Sequence, residues 1–258
     1  MDLKGKVAIV TGGGTGLGAE ACRILAGKSC RVIVNYAHSA AEAEAVAKEI
    51  GGRAVKADVA DDAQCRALAK AALDAHGRVD FLIQSAGTTK FVATENLDGI
   101  TAEDFQRIYA VNVIGAFQMI RAVAPAMKRQ GKGSVVNVSS VAGLRGGGSS
   151  IAYACSKGAL NTMTMAMARA LAPEIRVNAL APGFFESRWL QNGLGPERYA
   201  MVKQAIADTT PSGKTASARD VAEMAVWLAT EAEFVNGHIL PGDGGHGLNV
   251  AGLMRPRN

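Results

Sequence analysis

Two residues able to transfer a proton, Tyr153 and Lys157, lie four positions apart at the start of an Ala- and Met-rich segment without a helix breaker. In a helix, this spacing places both side chains on one face, one turn apart. A tyrosine phenol has a pKa of about 10, which is too high for acid–base work near neutral pH. A neighbouring ammonium favours the phenolate and is predicted to lower that pKa. The pair therefore predicts proton transfer to or from an alcohol or a carbonyl.

The elements that must position this pair are a strand and a helix joined by a glycine-rich loop. The apolar, β-branched run GSVVNV precedes Ser139 and Ser140 and has the length of a buried strand. Glycines at 143, 146, 147 and 148 mark the loop before the helix. Ligands bind at the carboxyl ends of strands in open α/β sheets, so a serine there could hold a substrate oxygen against the phenol.

The composition favours one globular domain over residues 1–258, and it limits the classes of partner. Hydrophobic residues make up 48% of the chain, and no linker or charge block divides it. The net charge of +5 is spread along the sequence and aromatic residues are only 5%, so no nucleic-acid partner is expected. The start of the chain does not resemble a signal peptide, and no run reaches the eighteen apolar residues of a membrane span. The cysteines at 22, 30, 65 and 155 lack metal-site spacing, so we expect no metal, reduced thiols and a cytoplasmic location.

A dinucleotide site is predicted near the beginning of the chain. The strand KVAIVT leads into TGGGTGLG at 11–18, which is followed by a segment with a helical apolar stripe. In such a strand–turn–helix unit, backbone amides and the helix N-terminus receive a pyrophosphate. With 30 glycines in the chain, the spacing of Gly12, Gly16 and Gly18 alone is not diagnostic, and the position between strand and helix decides the prediction.

The end of the second strand, RVIVNY, bears on the choice between NAD and NADP. An acid at this point binds the free ribose hydroxyl of NAD, whereas NADP needs a neutral or basic surrounding. The sequence reads Asn35-Tyr36-Ala37-His38-Ser39 and contains no acid before Glu42. Asn35, Tyr36, His38 and Ser39 could donate to the additional phosphate of NADP. We therefore predict NADP, with NAD as the alternative.

Further along, strands and helices continue to alternate, which predicts a doubly wound parallel sheet with helices on both faces. Asp58-Val59 ends the third strand, where a carboxylate can accept from the adenine amino group or cap the next helix. Ser85-Ala86-Gly87 follows the fourth strand and allows close approach to a ligand. Asn112 lies inside a long helix predicted for 101–130, either as a satisfied core amide or as part of a polar relay.

Taken in order, these motifs resemble the classical short-chain dehydrogenase/reductase family. The matching segments cover nearly the whole chain and are TGGGTGLG at 11–18, Asp58, SAG at 85–87, Asn112, Ser140, Tyr153-x-x-x-Lys157, RVNALAPG at 176–183 and GDGG at 242–245. The resemblance implies a Rossmann-type sheet with a seventh strand near 237–240, and a homotetramer built on two long helices.

The resemblance also assigns roles to individual residues. Tyr153 is the general acid/base, Lys157 lowers its pKa and binds the nicotinamide ribose, Ser140 orients the substrate oxygen, and Asn112 holds a water that links Lys157 to solvent. Ser139 is then a neighbour rather than a catalyst. The implied cofactor-binding set is Gly12, Thr15, Gly16, Leu17, Gly18, Asn35, Tyr36, His38, Ser39, Asp58, Val59, Ser85, Ala86, Gly87, Tyr153, Lys157, Pro182, Gly183 and Ser187.

Three positions depart from the family pattern: Gln84-Ser85 replaces Asn-Asn, Thr15 replaces an arginine common in NADP-dependent members, and Ser187 replaces a threonine. The segment VIVNYAHSAAEAEAVAKEI is similar to the NADP-dependent branch that contains naphthol reductases and 3-oxoacyl-carrier-protein reductases. The resemblance thus implies hydride transfer between NADP(H) and a secondary alcohol or ketone, such as a 3-oxoacyl compound. Sugar, steroid or polyol dehydrogenases using NAD(H), and a non-catalytic cofactor-sensing protein, remain alternatives.

The segment 184–215 is expected to form a lid over the substrate. It concentrates aromatic residues, namely Phe184, Phe185, Trp189 and Tyr199, in a chain that is otherwise poor in them. These residues either line an apolar pocket or pack the lid against the body or a neighbouring subunit. Arg145 and Arg188 flank the expected cavity and either receive an anionic group or remain solvated.

Overall fold

A computed structural model of the chain describes residues 2–248, so residue 1 and residues 249–258 of the predicted 1–258 domain lie outside the described part. Seven strands form one parallel sheet in the order β3-β2-β1-β4-β5-β6-β7. This is the doubly wound Rossmann-type sheet predicted from the sequence. The strands are β1 Val7–Thr11, β2 Arg31–Tyr36, β3 Arg53–Lys56, β4 Phe81–Gln84, β5 Gly133–Val138, β6 Ile175–Pro182 and β7 Ile239–Gly242.

Helices cover both faces of this sheet. They are α1 Gly16–Gly27, α2 Ala40–Ile50, α3 Asp62–His76, α4 Ala102–Tyr109, α5 Ala116–Arg129, α6 Ala142–Arg145, α7 Ile151–Leu171, α8 Arg188–Leu194, α9 Pro196–Thr209 and α10 Ala218–Thr230. Short 3₁₀ turns occur at Leu97–Gly99 and His246–Leu248.

Two hydrophobic cores lie on opposite faces of the sheet, which explains why the strands read as continuous apolar runs. Along β1, Ala8 and Val10 pack on the side of α1 and α10, whereas Ile9 packs on the side of α3 and α5. The sheet order reverses between β1 and β4. In doubly wound folds, the crevice at such a reversal is where ligands bind.

The predicted long helix at 101–130 contains an irregular turn. α4 and α5 are joined without a break by a π-helical turn, Ala110–Gly115, which carries Asn112. The combined helix, Ala102–Arg129, is long and apolar enough to cross a membrane by length and composition. However, 56% of its most apolar window is buried inside the fold, as in the core helix of a globular protein.

A chain of buried polar side chains ties the sheet to α7. The Gln84 amide donates to Asn137 Oδ1 at 2.9 Å and to the Ala116 carbonyl at 3.1 Å. Asn137 in turn donates to Thr164 Oγ1 of α7 at 2.8 Å. Because both amides donate to buried acceptors, burial of these groups is tolerated and the position of α7 relative to β4 and β5 is fixed.

Candidate active site

Tyr153 and Lys157 occupy the first two turns of α7, as their spacing predicts. Ser150 is the N-cap residue of this helix, and its hydroxyl accepts from the Tyr153 amide at 3.3 Å. Both side chains are buried, with exposed fractions of 8% for Tyr153 and 4% for Lys157. Lys157 Nζ lies 5.5 Å from the centroid of the Tyr153 ring and donates to the Val138 carbonyl, at the end of β5, at 2.8 Å.

The pKa values of the pair differ from the sequence-based prediction. Burial raises the pKa of Tyr153 to about 12, and interaction with the Ser140 side chain acts in the opposite direction. The net pKa of Tyr153 is therefore raised, whereas the sequence-based expectation was that it would be lowered. Burial also lowers the pKa of Lys157 itself, to about 8. Desolvation of the charged form sets the direction of both pKa shifts, and the ammonium is directed at the Val138 carbonyl.

The two serines after β5 have different environments. The Ser139 hydroxyl is buried and donates to Asn161 Oδ1 at 2.6 Å, and it also reaches the Lys157 carbonyl at 3.3 Å. Ser140 is half-buried, accepts from the Ala142 amide at 3.1 Å and lines the same cavity as Tyr153. Ser139 therefore stabilises the packing of α7, and Ser140 is the serine that interacts with the phenol.

Asn112 is a satisfied buried amide close to this pair. Its Oδ1 accepts from the Thr88 amide at 2.8 Å, and its Nδ2 donates to the Thr88 carbonyl and to Ser156 Oγ, both at 3.0 Å. Ser156 Oγ then donates to the Tyr153 carbonyl at 2.7 Å. A Cβ atom placed on Gly87 would lie 3.6 Å from Asn112 Oδ1 and 3.8 Å from Lys157 Nζ. The space above Gly87 thus borders both polar groups.

The active pair opens onto a large cavity that extends to the glycine turn. The cavity has a volume of about 1060 Å³ and is lined by Gly12, Thr15, Gly16 and Leu17 of this turn, and by Tyr153 and Lys157 at its other end. Gly12 has φ +63°, and a Cβ atom there would approach the Ala86 amide at 2.9 Å. A Cβ atom on Gly18 would collide with the Gly12 carbonyl. The turn can therefore pack this tightly only with glycine, which leaves the α1 N-terminus open to the cavity, as a bound pyrophosphate requires.

The end of β2 forms the far wall of the cavity. Tyr36, His38 and Ser39 line it, and Ser39 makes no side-chain cap bond to α2. Asn35 also borders the cavity, but its amide donates to the carbonyls of Tyr36, Val55 and Ala57 at 3.4, 3.3 and 2.9 Å. The sequence-based expectation that the Asn35 side chain donates to a phosphate therefore does not match this conformation, because its donors face the interior.

The walls next to β2 come from the ends of β3 and β4. Asp58 accepts from the Ala60 amide through Oδ1 at 2.9 Å, whereas the N-cap of α3 is Asp61. Asp58 is the only acidic side chain of the cavity wall within residues 2–248. Val59 and the segment 85–87 complete this side, where the Ala86 amide donates to Thr11 Oγ1 at 3.2 Å.

Aromatic residues cover the other side of the pair. The Trp189 ring lies 5.8 Å from both the Tyr153 and the Phe91 rings, centroid to centroid. Phe184 lines the cavity and packs against Tyr199 at 5.7 Å. Pro182, Gly183 and Ser187 also border the cavity, and Ser187 accepts from the Leu190 amide at 3.3 Å as the N-cap of α8.

Comparison with known proteins shows which family has this arrangement of residues. The family model described as short chain dehydrogenase matches residues 6–194, well over half of the chain. The chain belongs to the short-chain dehydrogenase/reductase family. It is therefore an oxidoreductase of the class that uses a nicotinamide dinucleotide.

Relatives of this short-chain dehydrogenase extend over nearly the full chain. The "Granaticin polyketide synthase putative ketoacyl reductase 2" of Streptomyces violaceoruber is 39% identical, over 93% of this chain and 95% of the relative. A 3-oxoacyl-acyl-carrier-protein reductase of Synechocystis is 33% identical, over 94% of this chain and 97% of the relative. A solved short-chain type dehydrogenase/reductase from Mycobacterium ulcerans has the same fold, with a TM-score of 0.87 at 24% identity over 96% of this chain and 92% of that one.

The structure also adds cavity residues to this short-chain dehydrogenase that the sequence did not indicate. Phe91, Arg107 and Arg198 line the cavity, although none of them belongs to a motif. The two arginines that were expected to flank it are both paired: Arg145 with Asp243 Oδ2 at 2.8 Å, and Arg188 with Glu42 Oε1 at 3.5 Å. Of these two, only Arg145 lines the cavity. A helical amphipathic pattern around 198 could have indicated which face of α9 turns inward, but not what lies opposite.

Proposed function

We propose that the chain reduces a ketone of the 3-oxoacyl type to a secondary alcohol with NADPH. The observation that carries this proposal is the buried Tyr153 phenol, which borders one continuous cavity together with Ser140, Lys157 and the glycine turn. Because its pKa is raised to about 12, the phenol holds its proton at neutral pH, which is the state required of an acid that protonates a forming alkoxide. A protonated phenol suits the reductive direction of the reaction.

Each member of the catalytic set has one task in this proposal. The substrate carbonyl oxygen is held by the Ser140 hydroxyl and receives the proton of Tyr153. When bound, the nicotinamide supplies the hydride for the carbonyl carbon. Lys157 binds the nicotinamide ribose and reloads the phenol with a proton, and Asn112 holds a water above Gly87 that connects Lys157 to solvent. Both Asn112 Oδ1 and Lys157 Nζ lie close to that space, which supports this last step.

The cofactor site follows the cavity wall. The turn residues Gly12, Thr15, Gly16, Leu17 and Gly18 bind the pyrophosphate, Asp58 and Val59 bind adenine, and Ser85–Gly87, Pro182, Gly183 and Ser187 bind the nicotinamide half. Tyr36, His38 and Ser39 bind the additional phosphate of NADPH, and the backbone of Asn35 borders it. The absence of a carboxylate between residues 35 and 41 supports NADPH over NADH, since an acid there would repel the phosphate.

The proposal also includes the lid, the oligomeric state and the cellular location. Residues 184–215 act as the lid of a single domain. Ile114 and Met165, on the long helices, are 51% and 49% exposed, which supports a homotetramer formed through these helices. The four cysteines form no disulfide, which suits a cytoplasmic protein.

Tyr153→Phe tests the catalytic part of the proposal. This variant removes only the hydroxyl group, so we expect ketone reduction to fall by at least about 10³-fold while NADPH binding, followed by fluorescence titration, changes less than twofold. Normal turnover by the variant would refute the acid role. In the same titration, wild-type protein should bind NADPH more tightly than NADH, and the reverse order would refute the cofactor assignment.

A further inference from the structure

The cavity wall carries a marked excess of positive charge. Its arginine and lysine side chains are Arg107, Arg145, Lys157 and Arg198, whereas Asp58 is its only acid among residues 2–248. Asp58 follows β3, on the side of the cavity proposed to bind adenine. A cleft lined by one sign of charge concentrates ligands of the opposite sign.

Three of these four cations already have partners. Arg107 donates to Asp104 Oδ1 at 3.3 Å, Arg145 donates to Asp243 Oδ2 at 2.8 Å, and Lys157 donates to the Val138 carbonyl. Arg198 forms no ion pair or hydrogen bond with any of the residues that the structure describes. Its guanidinium is therefore the one cationic group of this wall that is free to take a ligand within the described part of the chain.

Arg198 lies at one end of an apolar stripe. Val202 and Ile206 follow it by one and two turns on α9 and line the same cavity, as does Leu194 of α8. The stripe from Arg198 to Ile206 is about 12 Å long, given the rise of an α-helix. A ligand lying along it would have an apolar body and an anionic group at one end.

The position of α9 indicates which ligand meets this stripe. The cofactor half of the cavity is built from the glycine turn, the ends of β2 to β4 and the start of α2, whereas α9 belongs to the segment 184–215 that follows the Pro182-Gly183 turn. Trp189, whose ring lies 5.8 Å from that of Tyr153, belongs to the same segment. The stripe therefore borders the space that remains for the substrate.

We infer that Arg198 binds an anionic group, a carboxylate or a phosphate, at the end of the substrate remote from the reacting carbonyl. The substrate class is then an oxo acid, or an oxoacyl thioester on a phosphate-bearing arm, with an apolar segment between the carbonyl and the charge. This inference rests on the proposed ketone reduction. The planar guanidinium suits both anions, because it can donate two parallel hydrogen bonds to either.

Paired substrates test the inference. One pair is an oxo carboxylic acid and its methyl ester, and the other is an acetoacetyl thioester of pantetheine 4′-phosphate and of pantetheine. For wild-type protein, Arg198→Gln and Arg198→Lys, kcat/KM is measured for each member. Arg169→Gln, which changes an exposed arginine on α7 away from the cavity, is the control.

In the Arg198→Gln variant, the preference for the anionic over the neutral member should fall by about tenfold in at least one pair, mainly through KM, since the charge-assisted bond is lost while the neutral substrate loses nothing. The pair that responds identifies the anion as carboxylate or phosphate. Arg198→Lys should retain part of the preference, and Arg169→Gln all of it. Added salt should reduce the preference of the wild-type protein more than that of Arg198→Gln.

Two results would overturn the inference. The first is an unchanged preference in both pairs for Arg198→Gln. The second is an equal loss of NADPH affinity, measured by fluorescence titration, which would assign the arginine to the cofactor. Failure of the proposed function itself is distinguishable, because then no ketone is reduced by the wild-type protein. In that event, protection of the protein–NADPH complex against thermal unfolding by the oxo acid, with and without Arg198, still decides whether the anion site exists.

Discussion

Replacement of Lys157 by methionine should increase the stability of the cofactor-free protein while abolishing its activity. The ammonium is almost completely buried, and its pKa of about 8 lies well below the ordinary value of 10.5. That difference corresponds to about 3 kcal/mol against folding with a charged lysine near pH 7. Methionine has a similar length and no charge, but it leaves the Val138 carbonyl without its donor, at a cost of about 1–2 kcal/mol. The net gain expected at pH 7 is about 1–2 kcal/mol.

The pH dependence separates this explanation from a general packing effect. Because the folded-state pKa of Lys157 is depressed, the unfolded chain holds a proton between about pH 8 and 10.5 that the folded protein has lost. The stability of the wild-type protein therefore rises with pH in this window, by up to about 1.4 kcal/mol per pH unit, whereas Lys157→Met lacks this contribution. The advantage of the variant should shrink by about 2–3 kcal/mol between pH 8 and pH 10. Above pH 10, the raised pKa of Tyr153 makes stability fall with pH in both proteins.

Urea unfolding followed by circular dichroism at pH 7, 8, 9 and 10, with one protein concentration throughout, measures the difference. Lys48→Met is the matched control, since Lys48 is exposed on α2 and water surrounds its ammonium in the folded and unfolded states alike. Its stability relative to the wild-type protein should not vary across the series. If the gap between Lys157→Met and the wild-type protein is the same at all four pH values, the desolvation argument is refuted.

Two further predictions concern the residues around the pair. Ser139→Ala leaves Asn161 Oδ1 without its donor, so it should lower the free energy of unfolding by about 1–3 kcal/mol with little effect on kcat, whereas Ser140→Ala should lower kcat by about 10²-fold with little effect on stability. Gly193→Ala would place a Cβ atom into the Phe91 ring, so it should displace the aromatic wall beside Trp189 and raise the ketone KM about tenfold.

Denaturant unfolding and steady-state kinetics on the same preparations decide these predictions. Equal kinetic losses in the two serine variants would contradict the division of roles between Ser139 and Ser140. For the glycine variant, Gly27→Ala at the end of α1 is the control, because a Cβ atom there meets no neighbour within 4 Å. A ketone KM for Gly193→Ala no different from that of the control would mean that Phe91 does not shape the substrate space.

Most of the fold could be predicted from the sequence, because the patterns that indicate strands, helices and the Tyr153–Lys157 pair involve residues close together in the chain. Continuous apolar strands, alternating with helical stripes, indicated the parallel sheet, and the four-residue spacing placed Tyr153 and Lys157 on one face of α7. Distances between residues of different elements could not be predicted from the sequence. The direction of the Lys157 ammonium depends on the Val138 carbonyl, which another element supplies, and the tertiary burial of the Tyr153 phenol raises its pKa instead of the expected lowering.

The orientation of some polar side chains, toward the cavity or toward other protein groups, also could not be predicted from the sequence. Asn35 at a strand end resembles a free donor in the sequence, but its amide donates to the carbonyls of residue 55 in β3 and residue 57 just after it. Arg198 reads as one more surface charge, and only the packing of α9 shows that it borders the cavity. The hydrophobic periodicity predicts neither the hydrogen bonds of Asn35 nor the position of Arg198 at the cavity, because both depend on residues of other elements.

Because Asn112 lies in the π-helical turn at 110–115, its position depends on the number of residues in this turn. A π-helical turn holds one residue more than a regular α-helical turn, so loss of a single residue would convert it into regular helix and shift the positions inside the turn relative to α5. The apolar face of α5 would keep its place against α3, while Asn112 would swing away from Thr88 and Ser156. A one-residue deletion in this turn could thus leave a folded protein whose amide points elsewhere, an outcome that no point substitution reproduces.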